Sequence, residues 1–432
     1  MFKRYIKTII ISILLVVLCC ITSTEAKTFK VASYNVENLF DLTINGTEYQ
    51  HYIPNTGYGW TKDVANIKYT NIARVIKDIG ADVVALQEVE SKKALILLHD
   101  RLKDFGVDYP YFEIADSKVT SVKCAVLSMF PIVKKEEVKI DNELARNILK
   151  VTLNIDGDRL ILFINHWKSK RGPESMRIAY AKALRKGIDK LTADADFILI
   201  GDFNSNYNEY TTFRNSSKLN NTNGISGINH ILKTIKDSKL VNEKILTKQA
   251  AKEYLYNLWL EVSKTRRWSY NFFGKKDSPD NIIVSKGLYD NKGISYSDNS
   301  FNKFQPDYLF KGKAVYRWQK AASGMGRHIG KGYSDHLPIF AYFSTEPFCF
   351  KNSNTVSNNI APLKLEKVKY PQSSHDLNSA SKEELMSING LGPVLSAKII
   401  AGRPYKTVDD LLKVKGIGPK KLKNFRPYFV VR

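Results

Sequence analysis

Cysteine is scarce: the 432-residue chain has four, and Cys19 and Cys20 both sit in an apolar N-terminal stretch. Only Cys124 and Cys349 remain beyond it, which excludes a disulfide-stapled scaffold. The strand-like setting Lys123-Cys124-Ala125-Val126-Leu127 predicts a buried thiol rather than a bridge. Acid is short as well, 43 Asp and Glu against 66 Lys and Arg, a net charge of +23. That imbalance argues against cationic partners and favours polyanions, nucleic acid before acidic membrane. Long apolar runs are missing too, since Ile9 to Cys20 is short for a bilayer span. Lys3, Arg4 and Lys7 precede that run and small residues follow it to Ala26, which predicts a secretory signal over residues 1–26. The expectation is an exported chain, periplasmic or secreted, with no membrane binding once the signal is cleaved.

An apolar content of 43% and an aromatic content of 11% describe globular material, and the length suits one large and one small domain. From 27 to 345, strand patterns (29–34, 83–88, 123–128, 147–155, 159–165, 197–202 and 337–343) mix with helical ones (64–79, 91–105 and 173–192). Asp156-Gly157-Asp158 reads as a hairpin turn. Hairpins combined with crossovers predict an α/β (α+β) four-layer sandwich, two mixed β-sheets face to face with helices outside. Asn, Ser, Pro and Lys dominate 346–374, a linker. Helical spacing returns over 375–432, predicting a small all-α domain.

Several apolar strands end in polar tips. Phe197-Ile198-Leu199-Ile200 runs into Gly201-Asp202-Phe203-Asn204, Val83-Val84-Ala85-Leu86 into Gln87-Glu88, and Ser334-Asp335-His336 precedes the segment from Leu337 to Phe343. Strand tips are where α/β layers place chemistry. Carboxylate and amide oxygens suit Mg²⁺ or Mn²⁺, with Ca²⁺ a further option, and imidazoles move protons. Both parts are needed for phosphate ester hydrolysis. An acid or base supplies about 10²–10⁴ in rate, whereas these esters demand roughly 20 kcal/mol of catalysis.

In chain order the motifs are Ser33-Tyr34-Asn35-Val36-Glu37-Asn38, Leu86-Gln87-Glu88, Asn165-His166-Trp167, Gly201-Asp202-Phe203-Asn204, Pro279-Asp280-Asn281-Ile282 and Tyr333-Ser334-Asp335-His336-Leu337-Pro338. Together they resemble the endonuclease/exonuclease/phosphatase superfamily, over essentially all of 29–343. The resemblance implies that Asn35, Glu88 and Asp335 hold the divalent ion, and that Asp202 and Asn204 orient water and phosphoryl oxygens. It makes His336 the general base, with Asp280 orienting its ring. His166 matches a second histidine that protonates the leaving oxygen or binds the phosphate, although the carboxylate it leans on elsewhere in the superfamily is not found in this sequence. Arg146 matches a phosphate contact, and Lys168 extends the positive rim; a surface cation is the alternative for each.

Between Lys303 and Lys331, seven basic residues stand against the single acid Asp307, interleaved with Phe304, Tyr308, Phe310, Tyr316 and Trp318. This pattern suits either backbone contact with base stacking or a long loop anchored by its rings. Further on, Gly390-Leu391-Gly392-Pro393 and Gly416-Ile417-Gly418-Pro419 each put Gly-apolar-Gly ahead of a helical stretch, where backbone amides can approach a phosphate. With Asp376 to Leu385 before them, they resemble the paired helix-hairpin-helix domain of bacterial competence DNA receptors. The resemblance implies sequence-independent duplex binding through the hairpins, with Gly390, Gly392, Gly416 and Gly418 at the turns and Lys420 and Lys421 beside them. No protein partner is implied.

The sequence therefore predicts an exported, metal-dependent deoxyribonuclease, endonuclease rather than exonuclease, with DNA as its partner. The alternatives are a phosphomonoesterase, a sphingomyelinase-like phospholipid hydrolase, or a non-catalytic DNA receptor.

Overall fold

The computed structural model describes residues 27–116, 119–142, 145–250, 252–272, 274–321, 326–350, 375–386, 388, 390–405, 407–425 and 428–431. The expected signal, and the linker from residue 351 on, lie outside the described residues. The chain divides into two compact units, 1–351 and 352–432.

In the first unit, the expected segments form β1 (Thr28–Leu39), β2 (Val83–Val89), β4 (Lys123–Ser128), β6 (Ile148–Ile155), β7 (Asp158–His166), β8 (Phe197–Asp202) and β10 (Ile339–Ser344), and the structure adds three strands that the alternation does not indicate, β3 (Tyr111–Ile114), β5 (Ile132–Val138) and β9 (Asp280–Val284). One sheet runs β10-β1-β2-β4-β3 and the other β9-β8-β7-β6-β5, with two-residue strands added beside β10 and β9. Each sheet is mixed, since β1/β2 and β7/β8 pair parallel while their neighbours pair antiparallel. Strands buried on both faces explain the near-continuous apolar sequences.

Three apolar layers follow. Val31, Val126, Leu162, Ile200 and Ile282 fill the space between the sheets. Beneath the first sheet, Ile72, Ile76, Leu95 and Leu98 of helices α1 (Lys62–Ile79) and α2 (Lys92–Asp104) pack on Ala32, Tyr34, Val84 and Leu86. Against the second sheet, Tyr180, Leu184 and Ile188 of α3 (Glu174–Asp189) meet Phe163, Phe197 and Leu199. This is the four-layer sandwich. Helix α1 begins two residues earlier than the apolar spacing alone indicates, because the Thr61 side chain caps Val64 N–H and Gly80 closes the far end in the left-handed region. Cys124 is buried and Cys349 exposed, both free thiols, and burial pushes the Cys124 thiol up to about 12.

The second unit packs Leu385, Leu391, Ile399, Leu411, Ile417 and Phe425 into its own core. Helices α4 (Lys382–Met386), α5 (Pro393–Ala401) and α6 (Pro419–Phe425) carry it. A feature beyond the helical expectation is the parallel pairing of His375–Asp376 with Phe429–Val430, which ties the unit's two ends together.

Candidate active site

Strand register assembles one half of the site. On the second sheet, His166 of β7 stands beside Asp202 of β8, and Asp202 beside Asp280 of β9. The parallel contact demands a glycine at 201: its φ is +129°, and a Cβ there would collide with the Asn165 carbonyl oxygen. On the first sheet, β1 and β2 shift register between Asn35 and Leu39, and Glu37, Asn38 and Glu88 all take positive φ. Such paired irregularities re-aim side chains at strand ends. Here they bring Asn35 and Glu88 to the facing tips of the second sheet.

The contacts are direct. Asn35 Nδ2 donates to Glu88 Oε1 (3.2 Å) and to Asp202 Oδ2 (3.1 Å), bridging the sheets. Asn204 donates its backbone N–H to Asp202 Oδ1 (2.7 Å) and its amide to Oδ2 (3.2 Å). His336 Nδ1 donates to Asp280 Oδ2 (2.8 Å), which also accepts from Ser269 Oγ. Ligand atoms of Asp202, Asp280 and His336 lie within 4.8 Å of one another. His166 Nε2 lies 3.5 Å from Glu88 Oε1 and 3.7 Å from Asp202 Oδ2, with Arg146 Nη2 at 3.4 Å. Asp335 lies 3.9 Å from His336 Nε2. The nine residues Asn35, Glu88, Arg146, His166, Asp202, Asn204, Asp280, Asp335 and His336 thus form one connected cluster.

The electrostatics sort them. Burial pushes Asp202 up to about 7, reinforced by Asp280 and Glu88. Burial, then Asp335, likewise raises Glu88. Burial would depress His336, but Asp280, Asp335 and Asp202 outweigh it and hold the imidazole well above its ordinary range. His166 goes the other way, held neutral by burial and then by Arg146 and His336. Its buried Nδ1 has no hydrogen-bond partner among the described residues, so the carboxylates near this ring, Glu88 and Asp202, face only its Nε2.

Asp202 and Glu88, both pushed up by burial and by a like-charged neighbour, make the kind of environment that a divalent cation relieves. Glu88 and Asp335 supply hard oxygens for it. Asn35 differs: its Oδ1 accepts the Glu37 N–H (3.0 Å), so the amide turns its nitrogen, not its oxygen, to the carboxylates.

The flanking residues divide. Arg146 also bonds the carbonyls of His166 (3.3 Å) and Trp167 (3.2 Å), whereas the Lys168 side chain is exposed. In the insertion, Trp318 is buried, and Phe304, Tyr308, Phe310 and Tyr316 pack partly buried against the helix-side core. These rings anchor the loop. Sequence reasoning missed what that anchoring delivers: Arg317 and Trp318 grip Glu37, a residue of the first motif to which no role attached. The arginine's Nε donates to Oε1 (3.1 Å) and the tryptophan's N–H to Oε2 (3.0 Å). A cation and a buried acid 280 positions apart leave no local signal.

In the second unit, Gly390 and Gly416 take φ of +93° and +111° at the two turns, and a Cβ at Gly392 or Gly418 would meet open space. Gly392 is the N-cap of α5. The Lys421 ammonium bonds back to Gly416 O (3.0 Å), and Lys420 lies at the start of α6.

A family model described as Endonuclease/Exonuclease/phosphatase family matches residues 30–345, and a helix-hairpin-helix motif matches 373–430. No curated protein sequence matches. Solved structures similar to the chain include a humanized D. rerio TDP2 (14% identity, 73% of this chain and 98% of that one, TM-score 0.46). Another is a family protein from Leptotrichia buccalis (16%, 72% and 98%, 0.44). A third is ANGEL2, described as a 2',3'-cyclic phosphatase (17%, 75% and 97%, 0.46). Since the family's pattern spans both sheets and every strand tip in the cluster, the protein belongs to the endonuclease/exonuclease/phosphatase family of phosphate ester hydrolases and carries a helix-hairpin-helix motif.

Proposed function

We propose that the protein is an exported, metal-dependent deoxyribonuclease that cuts within DNA strands and is retained on duplex DNA by residues 375–432. The observation that carries this reading is the His336–Asp280 pair set against the Asn35–Glu88–Asp202–Asn204 network, in a chain that also bears a helix-hairpin-helix motif. The net charge of residues 373–432, eleven Lys or Arg against five acids, favours DNA over a lipid or a small phosphomonoester.

His336, its Nδ1 tied to Asp280, directs Nε2 at water and takes the proton as the water oxygen bonds to phosphorus and the P–O ester bond breaks, the departing oxygen taking up a proton from solvent water. Asp280 stabilises the resulting imidazolium. Asp202 and Asn204 orient the attacking water. His166, kept neutral, contacts the phosphate rather than protonating the leaving oxygen, and Arg146 holds it there. Glu88 and Asp335 suit Mg²⁺ or Mn²⁺, which withdraws charge from the phosphoryl oxygens when bound.

The test is a substrate panel for residues 27–432: supercoiled plasmid, linear duplex, single-stranded DNA, RNA, a phosphomonoester and sphingomyelin, each with Mg²⁺, Mn²⁺, Ca²⁺ or chelator. Nicking of plasmid that chelator abolishes is expected. Hydrolysis of the monoester or lipid alone, or DNA binding without cleavage, would overturn the reading.

A further inference from the structure

Arg317 comes from the loop between β9 and β10, outside every motif that defines the site, and it ends among the site's acids. Its Nε and Nη2 both donate to Glu37 Oε1, and Nη2 lies 3.4 Å from Asp335 Oδ2, one residue before His336. Glu37 is 5% exposed, so this guanidinium is locked on one edge by a buried carboxylate. The other edge is free: Nη1 has no hydrogen-bond partner among the described residues, and the side chain is 45% exposed.

The backbone is fixed as firmly. Gly332 takes φ +87°, and any Cβ there would collide with the Arg317 carbonyl oxygen. Tyr333 N–H donates to Tyr316 O (2.8 Å), and the next residue, Trp318, is buried at 2%. An arginine held at both backbone and one guanidinium edge, with the remaining edge open, is preorganised for a second anion.

That anion is a phosphate ester. The centre is rich in carboxylates, so an incoming phosphodiester needs fixed positive charge on its approach side. Arg146 supplies it beside His166 and Glu88. Arg317 is its counterpart beside Asp335. We propose that Arg317 is a catalytic residue whose Nη1 binds a non-bridging oxygen of the scissile phosphate and stabilises the charge that grows there. The identity of the ester rests on the deoxyribonuclease reading; the role of Arg317 does not.

The experiment compares Arg317→Ala and Arg317→Lys with the unaltered protein, measuring kcat/KM, the melting temperature, and rescue by millimolar guanidinium chloride. Substrates are plasmid and the small diester bis(p-nitrophenyl) phosphate. The alanine variant is expected to lose about 10²–10³-fold in kcat, the range for removing one fixed donor from a developing anion, and to regain part of it with guanidinium. Lysine keeps a cation beside Glu37 but not the fork, so its melting temperature should stay near that of the unaltered protein while kcat/KM falls at least tenfold. Turnover within twofold in both variants, or a loss that follows melting temperature and ignores guanidinium, would overturn the inference. If the unaltered protein cleaves only another ester in the substrate panel, the deoxyribonuclease reading fails and the same variants are assayed on that ester.

Discussion

His336 Nδ1 lies 2.8 Å from Asp280 Oδ2 across 56 residues of sequence, while the neighbouring strand position holds Asp202. Two carboxylates side by side thus have separate tasks, one bound to an imidazole and one to the amides of Asn35 and Asn204.

Asp280→Asn separates those tasks. As a base, His336 acts only after losing its proton, and the carboxylate beside it favours the imidazolium. The acid limb of kcat/KM for the unaltered protein is therefore expected above the ordinary histidine range near 6.5. In the variant the limb should move to lower pH while kcat at the optimum falls by about 10² or more, the scale of a lost acid–base contribution. A pH–rate profile on a small diester reads both; an unmoved limb counts against the pairing.

Gly201→Ala tests the parallel β7–β8 contact. The positive φ and the collision with Asn165 O predict a loss of about 3 kcal/mol or more, read as a lower denaturant midpoint at unchanged slope. A midpoint equal to that of the unaltered protein contradicts the close backbone approach.

Glu261→Gln isolates a second acid cluster. Ligand atoms of Glu243, Glu261 and Asp298 lie within 4.8 Å of one another, and Glu261 is pushed up to about 8 by burial and by Glu243. A carboxyl raised in the folded state keeps a proton that the unfolded chain releases, so stability falls as pH rises from about 4.5 to 8. Melting temperature in chelator should decline over that window, and the glutamine substitution should flatten the decline. A parallel decline in both proteins would rule this out.

Residues 27–350 without the second unit should hydrolyse a small diester at an unchanged rate and lose retention on duplex DNA. For residues 27–432, retention should fall with salt at a log–log slope of roughly −0.9 per neutralised phosphate. Equal retention by both forms would remove the second unit's DNA-binding role.

Much of this was legible in the sequence, because apolar strands ending in Asp, Asn, Glu and His carry a local signal. The helices α1 to α3 and the segments at β1, β2, β4, β6, β7 and β8 follow directly from apolar spacing. The strand β5 does not. Its Lys134-Lys135-Glu136-Glu137 lies at a sheet edge, where charge guards against further pairing and hides the alternation. Nor could composition choose between stacking and anchoring for the aromatic insertion, since both need the same residues and only burial separates them. The orientation of the Asn35 amide and the Glu37–Arg317 contact depend on backbone irregularities and on side chains brought together from distant segments.

The most direct test of the proposed centre is kcat of His336→Ala on the ester that the unaltered protein cleaves, alongside its retention on DNA. The account predicts a fall in kcat of about 10²–10⁴-fold with retention unchanged. Turnover equal to that of the unaltered protein would contradict it.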